Sequence, residues 1–362
     1  MEEESRRIQA FELDDDDDED ELDSEYGEAV VPLTGQGRIL SPLDVARESR
    51  ALYPLYIGGA LLLLVLILAA SSGSKKEQEF QCPESSKEDW RDLLQRVERW
   101  SLDERCRPDA EGCYCMHPLR PFYPQDPPNW AEGWQTAYKH NQQLIENVTT
   151  TPLDVVLMGD SITEHWMGVS LGVPSQTYQH NERVFHKLFD KENDEYAELQ
   201  GLALGISGDR CPQLLYRVLN GNMTLPAHVY WMLIGTNDYI SSHCNTDSIV
   251  AGNIKIVHEL QKKSPDTTIV INSLLPVGSS KGVFYREDYL AMNQRLECFA
   301  QQTDGVEFFN ATRFFIKDGV DGNFLDMKML PDGLHPQVPG SRVWGQAIVD
   351  RVLEIKRERG LD

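Results

Sequence analysis

Residues 154–163 read DVVLMGDSIT, an aliphatic run that stops at a glycine, an acid and a serine. The run is short and nearly continuous in hydrophobicity, which predicts a strand buried on both faces. Strands of this kind belong to parallel sheets covered by helices. The Gly159-Asp160-Ser161 sequence then falls where a strand turns into a helix.

Similar apolar runs recur along the rest of the chain, separated by longer amphipathic stretches. This alternation predicts an α/β domain over residues 130–362, with a parallel sheet covered by helices. The predicted strands are Asp154–Met158, Gly201–Gly205, Val229–Ile234, Thr268–Ser273 and Val306–Phe309. The predicted helices include Pro212–Leu219, Asp247–Lys263, Arg286–Thr303 and Gly340–Arg359.

Polar residues follow several of these strands, at the edge where parallel sheets form their sites. Ser161 follows the first strand, Gly208 lies in the turn after the second, and Asn237 follows the third. Near the end of the chain, Asp332 and His335 stand three residues apart on one loop, where a carboxylate can orient an imidazole. Each element alone is equally typical of a helix cap or a loop.

Taken together, the blocks resemble the four signature blocks of the SGNH (GDSL) hydrolase superfamily. Within it, the chain resembles the catalytic subunits of type I brain platelet-activating-factor acetylhydrolase over roughly residues 130–353. The pieces that carry the likeness are VVLMGDSITEHW, LGISGDRCPQLLYRVLNG, YWMLIGTND, Leu274-Leu275-Pro276 and DGLHP. The second block departs from those relatives at Arg210 and Cys211, where they commonly have threonines.

The resemblance implies a three-layer, flavodoxin-like α/β/α fold with a five-stranded parallel sheet. It also implies a catalytic triad of Ser161, Asp332 and His335, with an oxyanion hole formed by Ser161, Gly208 and Asn237. In this chemistry the serine attacks an ester carbonyl after the histidine accepts its proton. No cofactor or metal is required.

Other residues near these blocks have two readings each. His165, Trp166 and Tyr239 either line the pocket or pack beside a strand end. Cys211 and Cys244 follow the second and third blocks, which predicts a disulfide between two active-site loops, with isolated thiols as the alternative.

All seven cysteines follow residue 80, and their odd number predicts one free thiol, for which Cys298 is the candidate. Residues 74–129 are interpreted as a cysteine- and proline-containing stalk, in which Cys82 pairs with Cys106, Cys113 or Cys115. A zinc site at Cys113, Cys115 and His117 is the disfavoured alternative, since the spacing matches no common structural site.

Residues 51–73 contain no charged residue, and the run LYPLYIGGALLLLVLILAA is long enough to span a bilayer. We predict a transmembrane signal anchor preceding the folded domain. A buried core helix and a cleaved signal peptide are the alternatives, but the run is apolar all round and begins far from Met1. Residues 1–50, with an acidic run at Asp14–Glu21, are predicted to be a disordered tail.

The sequence places the catalytic domain in the lumen or outside the cell, with a cytosolic N-terminus. Three glycosylation sequons, at Asn147, Asn222 and Asn310, and all the cysteines lie after the predicted span. The short span favours the Golgi or ER. The acidic tail holds about half of the net charge of −24, and nucleic acid is excluded as a partner.

The predicted function is a membrane-anchored esterase that removes a small acyl group, such as acetyl, from a lipid or glycan. The alternatives are an acyltransferase that uses the same triad with a sugar hydroxyl as acceptor, and a catalytically idle binding module. The oligomeric state is left open by the sequence.

Overall fold

A sheet of five parallel strands lies at the centre of the molecule. The computed structural model describes residues 82, 89–125, 129–279, 281–317 and 323–361, all within one compact unit, Gln78–Asp362. The strands are β1 (Leu153–Gly159), β2 (Gly201–Gly205), β3 (Ala227–Leu233), β4 (Thr268–Asn272) and β5 (Val306–Phe309). These five confirm the predicted strands within two residues at each end.

Helices connect the strands and cover both faces of the sheet. They are α1 (Trp90–Glu98), α2 (Leu102–Arg105), α3 (Asn129–Glu146), α4 (Ser161–Glu164), α5 (Gln179–Phe189), α6 (Cys211–Asn220), α7 (Thr236–Ile240), α8 (Thr246–Lys263), α9 (Arg286–Gln301) and α10 (Val338–Glu358). Helix α8 packs between α6 and α9 in one layer, and α5 packs against α10 in the other. The result is the three-layer α/β/α architecture.

The strand order is β2-β1-β3-β4-β5, and every neighbouring pair is parallel. In this flavodoxin-like order, β2 is added on one side of β1 and the later strands on the other side. A crevice is expected where the order switches, at the carboxyl ends of β1 and β3. Gly159 of β1 pairs in register with Gly205 of β2 and with Leu233 of β3. The segments that follow these three strands therefore leave the sheet side by side.

A fully buried arginine ties the ends of two of these strands together. The Arg217 guanidinium donates to the carbonyl oxygens of Gly159 (2.7 Å) and Leu204 (2.9 Å) and to the Asp209 carboxylate. Both partners of the Arg217–Asp209 ion pair have 0% side-chain exposure. The Trp134 indole donates to the other Asp209 oxygen at 2.6 Å, so both oxygens of the buried carboxylate accept a hydrogen bond.

We expect Arg217→Met to lower the free energy of unfolding by about 3–5 kcal/mol, because it leaves a buried carboxylate and two carbonyl groups without their donor. Chemical unfolding followed by tryptophan fluorescence measures the change. Arg357→Met, at an exposed arginine of α10, is the matched control and should shift stability by no more than about 0.5 kcal/mol. Equal effects for the two variants would contradict the role given to Arg217.

The segment that precedes the sheet is not the free spacer that the sequence predicted, at least over residues 89–125. Helix α1 packs on α8, and its Leu93 and Val97 are fully buried. Trp90 meets Phe299 edge-on, with ring centroids 5.7 Å apart. An amphipathic helix that finds an apolar surface buries its stripe there, so these residues are part of the folded unit.

The disulfides correct three predictions about the cysteines. Cys82 pairs with Cys298, Cys106 with Cys113, and Cys115 with Cys244, and the free thiol is Cys211. Cys298 is therefore not the unpaired residue, the predicted Cys211–Cys244 bond does not form, and Cys82 does not pair with a cysteine of the predicted stalk. The zinc alternative fails as well, since Cys113 and Cys115 are each in a disulfide.

Cys211 cannot reach Cys244 because its side chain points between two helices. Cys211 is the first residue of α6 and is completely buried. Its sulfur lies 3.7 Å from Asn253 Nδ2, and a Cβ placed on Gly252 would come within 2.9 Å of it. Burial raises the pKa of this thiol well above its usual range, which makes it unreactive at neutral pH.

The predicted transmembrane segment, residues 51–73, and the acidic tail lie outside the described residues. Among the residues that are described, no helix is both long enough and apolar enough to cross a membrane. The three sequon asparagines, Asn147, Asn222 and Asn310, are all exposed on the folded unit.

Candidate active site

Ser161 is the first residue of α4 and follows β1 with only Asp160 between them. Asp160 caps the helix, and its carboxylate accepts from the Ile162 N–H at 3.0 Å. Gly159 permits this tight turn, since a Cβ there would lie 2.3 Å from the Leu233 carbonyl oxygen. The serine is thereby held at the carboxyl edge of the sheet, with 9% of its surface exposed.

A loop from the far end of the sequence brings His335 to Ser161. The distance from Ser161 Oγ to His335 Nε2 is 2.9 Å, and that from His335 Nδ1 to Asp332 Oδ2 is 2.7 Å. The three side chains thus form one continuous hydrogen-bonded line, although the serine and histidine are 174 residues apart in sequence. This is the arrangement in which an imidazole can accept a hydroxyl proton.

The Asp332–His335 loop fixes its own carboxylate. Asp332 Oδ1 accepts from the backbone N–H groups of Leu334 (2.9 Å) and His335 (2.7 Å). Burial acts to raise the pKa of Asp332, but the hydrogen bonds from the His335 ring and from these N–H groups outweigh it and lower the pKa to about 2. The carboxylate therefore stays charged at neutral pH and can stabilise an imidazolium.

Gly333 allows this loop to approach its neighbour. Its φ is +81°, and a Cβ at this position would lie 1.9 Å from the carbonyl oxygen of Gly278. Gly278 belongs to a small hairpin, Val277–Ser279 paired with Gly282–Phe284, and its N–H donates to the Gly333 carbonyl at 3.0 Å. Any side chain at position 333 would push the loop away from the hairpin.

Gly208 occupies the turn that follows β2. The Asp209 N–H donates to the Ile206 carbonyl at 3.1 Å, and Gly208, at the third position of this four-residue turn, has φ +84°. This positive φ at the third position favours glycine. The preceding residue is anchored by Glu164, whose carboxylate accepts from the Ser207 N–H at 2.7 Å and from the Leu171 and Gly172 N–H groups. Glu164 thus fixes the Gly208 turn to the helix that begins at Ser161.

Asn237 lies in α7, directly after β3, and its amide group contacts the segments that follow β1 and β2. Asn237 Nδ2 donates to the Asp209 carbonyl oxygen at 3.0 Å and lies 3.3 Å from Asp160 Oδ2. These contacts bring the third block against the first and the second. The Ser161–His335–Asp332 line and Asn237 therefore lie at the same edge of the sheet, and Gly208 immediately precedes the Asp209 carbonyl that Asn237 contacts.

Three buried carboxyl groups surround the crevice. Burial raises the pKa of Asp160 to about 7, against the hydrogen bond from Ile162. It raises the pKa of Asp209 to about 6 in spite of Arg217, and that of Asp238 to about 6 in spite of the Cys211 N–H. Clustered groups with shifted pKa values are typical of functional sites.

His165 packs against the catalytic histidine candidate. Its ring stacks on Tyr178 at 3.4 Å and lies 4.7 Å from the His335 ring. Burial, with the nearby His335 adding to it, lowers the pKa of His165 to about 3. His165 Nδ1 is buried without a hydrogen-bond partner. This ring is therefore neutral and borders the site, whereas Trp166 packs in the core against Trp344, with ring centroids 5.4 Å apart.

We expect His165→Phe to make the protein less sensitive to mild acid. The folded-state pKa of about 3 lies below the ordinary value near 6.5, so the unfolded chain takes up this proton first and stability is lost as the pH falls from about 6.5 toward 3. Between pH 6.5 and 5.0 the linkage amounts to about 1.5 kcal/mol. Urea unfolding at these two pH values measures the loss in the free energy of unfolding, which should be smaller by that amount in the variant than in the wild type. An identical loss in the two proteins would contradict a neutral His165.

Several residues of the site were missed by the sequence reasoning. These residues contact the candidate active site through long-range packing, which no local sequence pattern predicts. They are Glu164, Tyr178 and Arg217. Tyr239, for which the sequence allows either pocket lining or packing, is fully buried, and Arg107 lies over its ring, with Cζ 4.3 Å from the centroid. Among the described residues no group of histidine, cysteine and acidic side chains could hold a metal ion.

A cavity lies away from these residues. It has a volume of about 190 Å³ and is lined by Leu153 and Gly201, the first residues of β1 and β2, together with Asn147 and Gln200. Because these residues are at the amino edge of the sheet, the cavity is remote from Ser161. The candidate active site instead lies at the carboxyl edge, where parallel sheets place their sites.

Comparisons with known proteins point to one family. The model of the GDSL-like lipase/acylhydrolase family matches residues 157–343, just over half of the chain. The platelet-activating factor acetylhydrolase IB subunit alpha2 of Rattus norvegicus is 26% identical over 189 residues, 52% of this chain and 67% of the relative. Its Homo sapiens counterpart is 27% identical over 180 residues, 49% and 67% of the two chains. A crystal structure of a GDSL-like lipase from Bacteroides thetaiotaomicron aligns with 21% identity and a TM-score of 0.45, covering 60% of this chain and 98% of that one.

Proposed function

Because the chain belongs to the GDSL-like lipase/acylhydrolase family and is an ester-hydrolysing serine hydrolase, we propose that it removes a small acyl group from a lipid or glycan ester. The observation that carries this proposal is the unbroken hydrogen-bonded line from Ser161 through His335 to Asp332. A hydroxyl aligned on an imidazole that a carboxylate orients is the arrangement needed for nucleophilic attack on an ester.

In the proposed reaction, Ser161 Oγ attacks the ester carbonyl while His335 Nε2 accepts its proton. The imidazolium then returns that proton to the leaving alcohol, and an acyl-enzyme remains on Ser161. A water molecule, deprotonated by the same nitrogen, releases the acid and regenerates the serine. Asp332 keeps the proton of His335 on Nδ1 and stabilises the ring when it is charged.

The oxyanion that forms during attack would be held by the backbone N–H groups of Ser161 and Gly208 and by the Asn237 amide. The two N–H groups follow tight turns at the carboxyl ends of β1 and β2. Removal of one such donor typically lowers kcat by about 10²–10³. The positive φ of Gly208 supports this role, because it turns the backbone where a side chain would hinder substrate.

Acetyl is the acyl group proposed for this site. The curated relatives are named as acetylhydrolases, and the matching region covers two thirds of their length. Beside the nucleophile, the stacked rings of His165 and Tyr178 pack against His335 and restrict the space on that side. A short acyl chain fits this setting better than a long one.

The enzyme is proposed to be anchored by residues 51–73, with its catalytic domain in the lumen of the Golgi or ER or outside the cell. Six of the seven cysteines lie in three disulfides, which persist in oxidising compartments. The exposure of Asn147, Asn222 and Asn310 is what acceptor sites for N-glycans require. Loss of apparent mass on glycosidase treatment, and protection of the catalytic domain from protease in sealed microsomes, would support this topology.

The chemistry is tested by hydrolysis of p-nitrophenyl acetate, butyrate and octanoate by the full-length protein in detergent. We expect kcat/KM to be highest for acetate and to fall with chain length. A fluorophosphonate probe should label Ser161, and mass spectrometry of the peptides would identify the labelled residue. A preference for octanoate would overturn the acetyl assignment, and a folded protein that neither hydrolyses esters nor accepts the probe would overturn the esterase.

A further inference from the structure

Residues 236–245, which begin with the short helix α7 and which we call the Asn237 loop, are shaped by contacts within the segment itself. The N–H groups of Ser241 and Ser242 both donate to the Asn237 carbonyl at 3.1 Å, and the Cys244 N–H donates to the Asp238 carbonyl at 2.9 Å. His243 has φ +58°, a conformation that non-glycine residues rarely adopt. Such a loop keeps its shape only when its surroundings hold it there.

What holds it is a part of the chain that precedes the hydrolase domain, residues 101–115, which we call the bracing segment. The Arg107 N–H donates to the His243 carbonyl at 3.0 Å, and the Tyr114 N–H donates to the Ser242 carbonyl at 3.3 Å. The Asn245 N–H donates to the Arg105 carbonyl at 2.8 Å. Three residues of the bracing segment thus bind Ser242, His243 and Asn245 of the Asn237 loop.

Side chains strengthen this attachment. A disulfide joins Cys115 to Cys244, and a second one, Cys106–Cys113, closes the bracing segment on itself. Arg107 lies over the buried ring of Tyr239, two residues after Asn237, with Cζ 4.3 Å from the centroid, and its Nη2 is 3.1 Å from His243 Nδ1. Because Arg107 is half-buried, this arginine–aromatic contact should be stronger than one at a fully exposed site.

The bracing segment also reaches the turn that carries Gly208. Arg210, two residues after that glycine, hydrogen-bonds to Ser242 Oγ and, through Nη2 at 3.0 Å, to Tyr114 Oη. Its guanidinium lies 5.2 Å from the centre of the Tyr114 ring. One segment is therefore in contact with both loops that supply the predicted oxyanion donors beyond Ser161.

From these contacts we infer that the bracing segment is a working part of the active site, in which Arg107 and the Cys115–Cys244 disulfide position Asn237 for the transition state. The inference rests on the proposed esterase function. Arg107 and the disulfide act through the Asn237 loop rather than on substrate, so they are positioning residues. Because a misplacement of about 1 Å in a reacting geometry can cost about 10²-fold in rate, loosening this loop should lower kcat more than it changes KM.

The test compares full-length variants in p-nitrophenyl acetate hydrolysis. We expect Arg107→Ala and the double variant Cys115→Ala/Cys244→Ala each to lower kcat about 10-fold with little change in KM. Arg107→Lys, which keeps the cation, should recover part of the rate. In an Asn237→Ala background the same changes should cost less than about 2-fold, because residues that act through one another are not additive.

Two matched controls separate positioning from general destabilisation. Cys82→Ala/Cys298→Ala removes a disulfide that closes a longer loop, 216 residues against 129, but does not touch the Asn237 loop. Arg120→Ala removes an exposed arginine that pairs with Glu98. Both controls should keep kcat within about 2-fold of the wild type. If the test variants behave like these controls, or if their losses persist undiminished in the Asn237→Ala background, the inference is wrong.

Hydrogen exchange gives a readout that needs no catalysis. In the Arg107→Ala and Cys115→Ala/Cys244→Ala variants, the backbone amides of residues 241, 242 and 244 should exchange at least about 10-fold faster, while those of β1 and β3 stay protected. Unchanged exchange at these three amides would overturn the inference, whether or not esters are hydrolysed. If the Ser161→Ala variant hydrolyses esters at the wild-type rate, the proposed esterase mechanism is wrong. The exchange rates alone would then test the role of the bracing segment.

Discussion

Ser161→Ala is expected to reduce kcat for p-nitrophenyl acetate by about 10⁴–10⁶, the largest effect of any single change in the chain. The variant removes the only atom that can form the acyl-enzyme while leaving His335, Asp332 and the oxyanion donors in place. KM should change little, since the serine hydroxyl that is removed contributes little to binding of the ground-state ester. Residual activity would reflect attack by water in the same crevice.

The measurement is steady-state hydrolysis by the full-length protein, together with the burst of p-nitrophenol that an accumulating acyl-enzyme produces. Ser175→Ala is the matched control, because this half-buried serine follows the hairpin formed by Val169–Ser170 and Val173–Pro174, and its N–H donates to the Gly168 carbonyl at 2.9 Å. The control should retain activity. A Ser161→Ala protein that keeps more than a tenth of wild-type kcat would exclude this serine as the nucleophile.

The sheet and the position of the candidate site were accessible from the sequence because both depend on local hydrophobicity and on a general property of parallel sheets. The run at residues 154–158 could only be a buried strand, and the structure extends it by one residue at each end. Once five such strands alternate with helices, their carboxyl ends must meet at one edge. Ser161 and Asn237 therefore had to converge, and Asn237 lies against Asp160.

The connections made at long range were not accessible. The sequence placed Cys211 and Cys244 in neighbouring loops, which is correct, but it could not reveal that Cys211 faces the interior between α6 and α8. The structure links the two loops all the same, by a hydrogen bond from the Cys211 N–H to Asp238 and by the bracing segment. Disulfide partners depend on side-chain direction, which spacing does not encode.

The region before the hydrolase domain was misread for a related reason. Residues 89–125 are polar and rich in turns, so their composition is that of a spacer. Their few apolar residues are nevertheless spaced to form a stripe, and Leu93 and Val97 are fully buried against the domain. Composition averages over such a stripe. Composition also gives no sign of the structural role of Glu164 and Arg217. Each is a buried charged residue that makes three or more hydrogen bonds to distant segments.

Asp332→Asn is expected to lower kcat by about 10⁴ with little change in the fold. Asp332 Oδ1 accepts from two backbone N–H groups, so the asparagine must place its carbonyl oxygen there. Its amide nitrogen then faces His335 Nδ1 as a donor. The ring would have to present an unprotonated Nδ1 to it and carry its hydrogen on Nε2, the nitrogen that lies 2.9 Å from Ser161 Oγ and must accept the serine proton.

Asp326→Asn is the matched control, because Asp326 makes a similar hydrogen bond to a backbone N–H, that of Lys328 at 3.0 Å, without contacting the histidine. The control should keep kcat within about 2-fold, as expected for a substitution away from the reacting groups. Near-ultraviolet circular dichroism should show both variants folded, and steady-state kinetics with p-nitrophenyl acetate gives kcat. If Asp332→Asn stays within 10-fold of the wild type, the carboxylate does not set the tautomer of His335, and the serine must be activated by the imidazole alone.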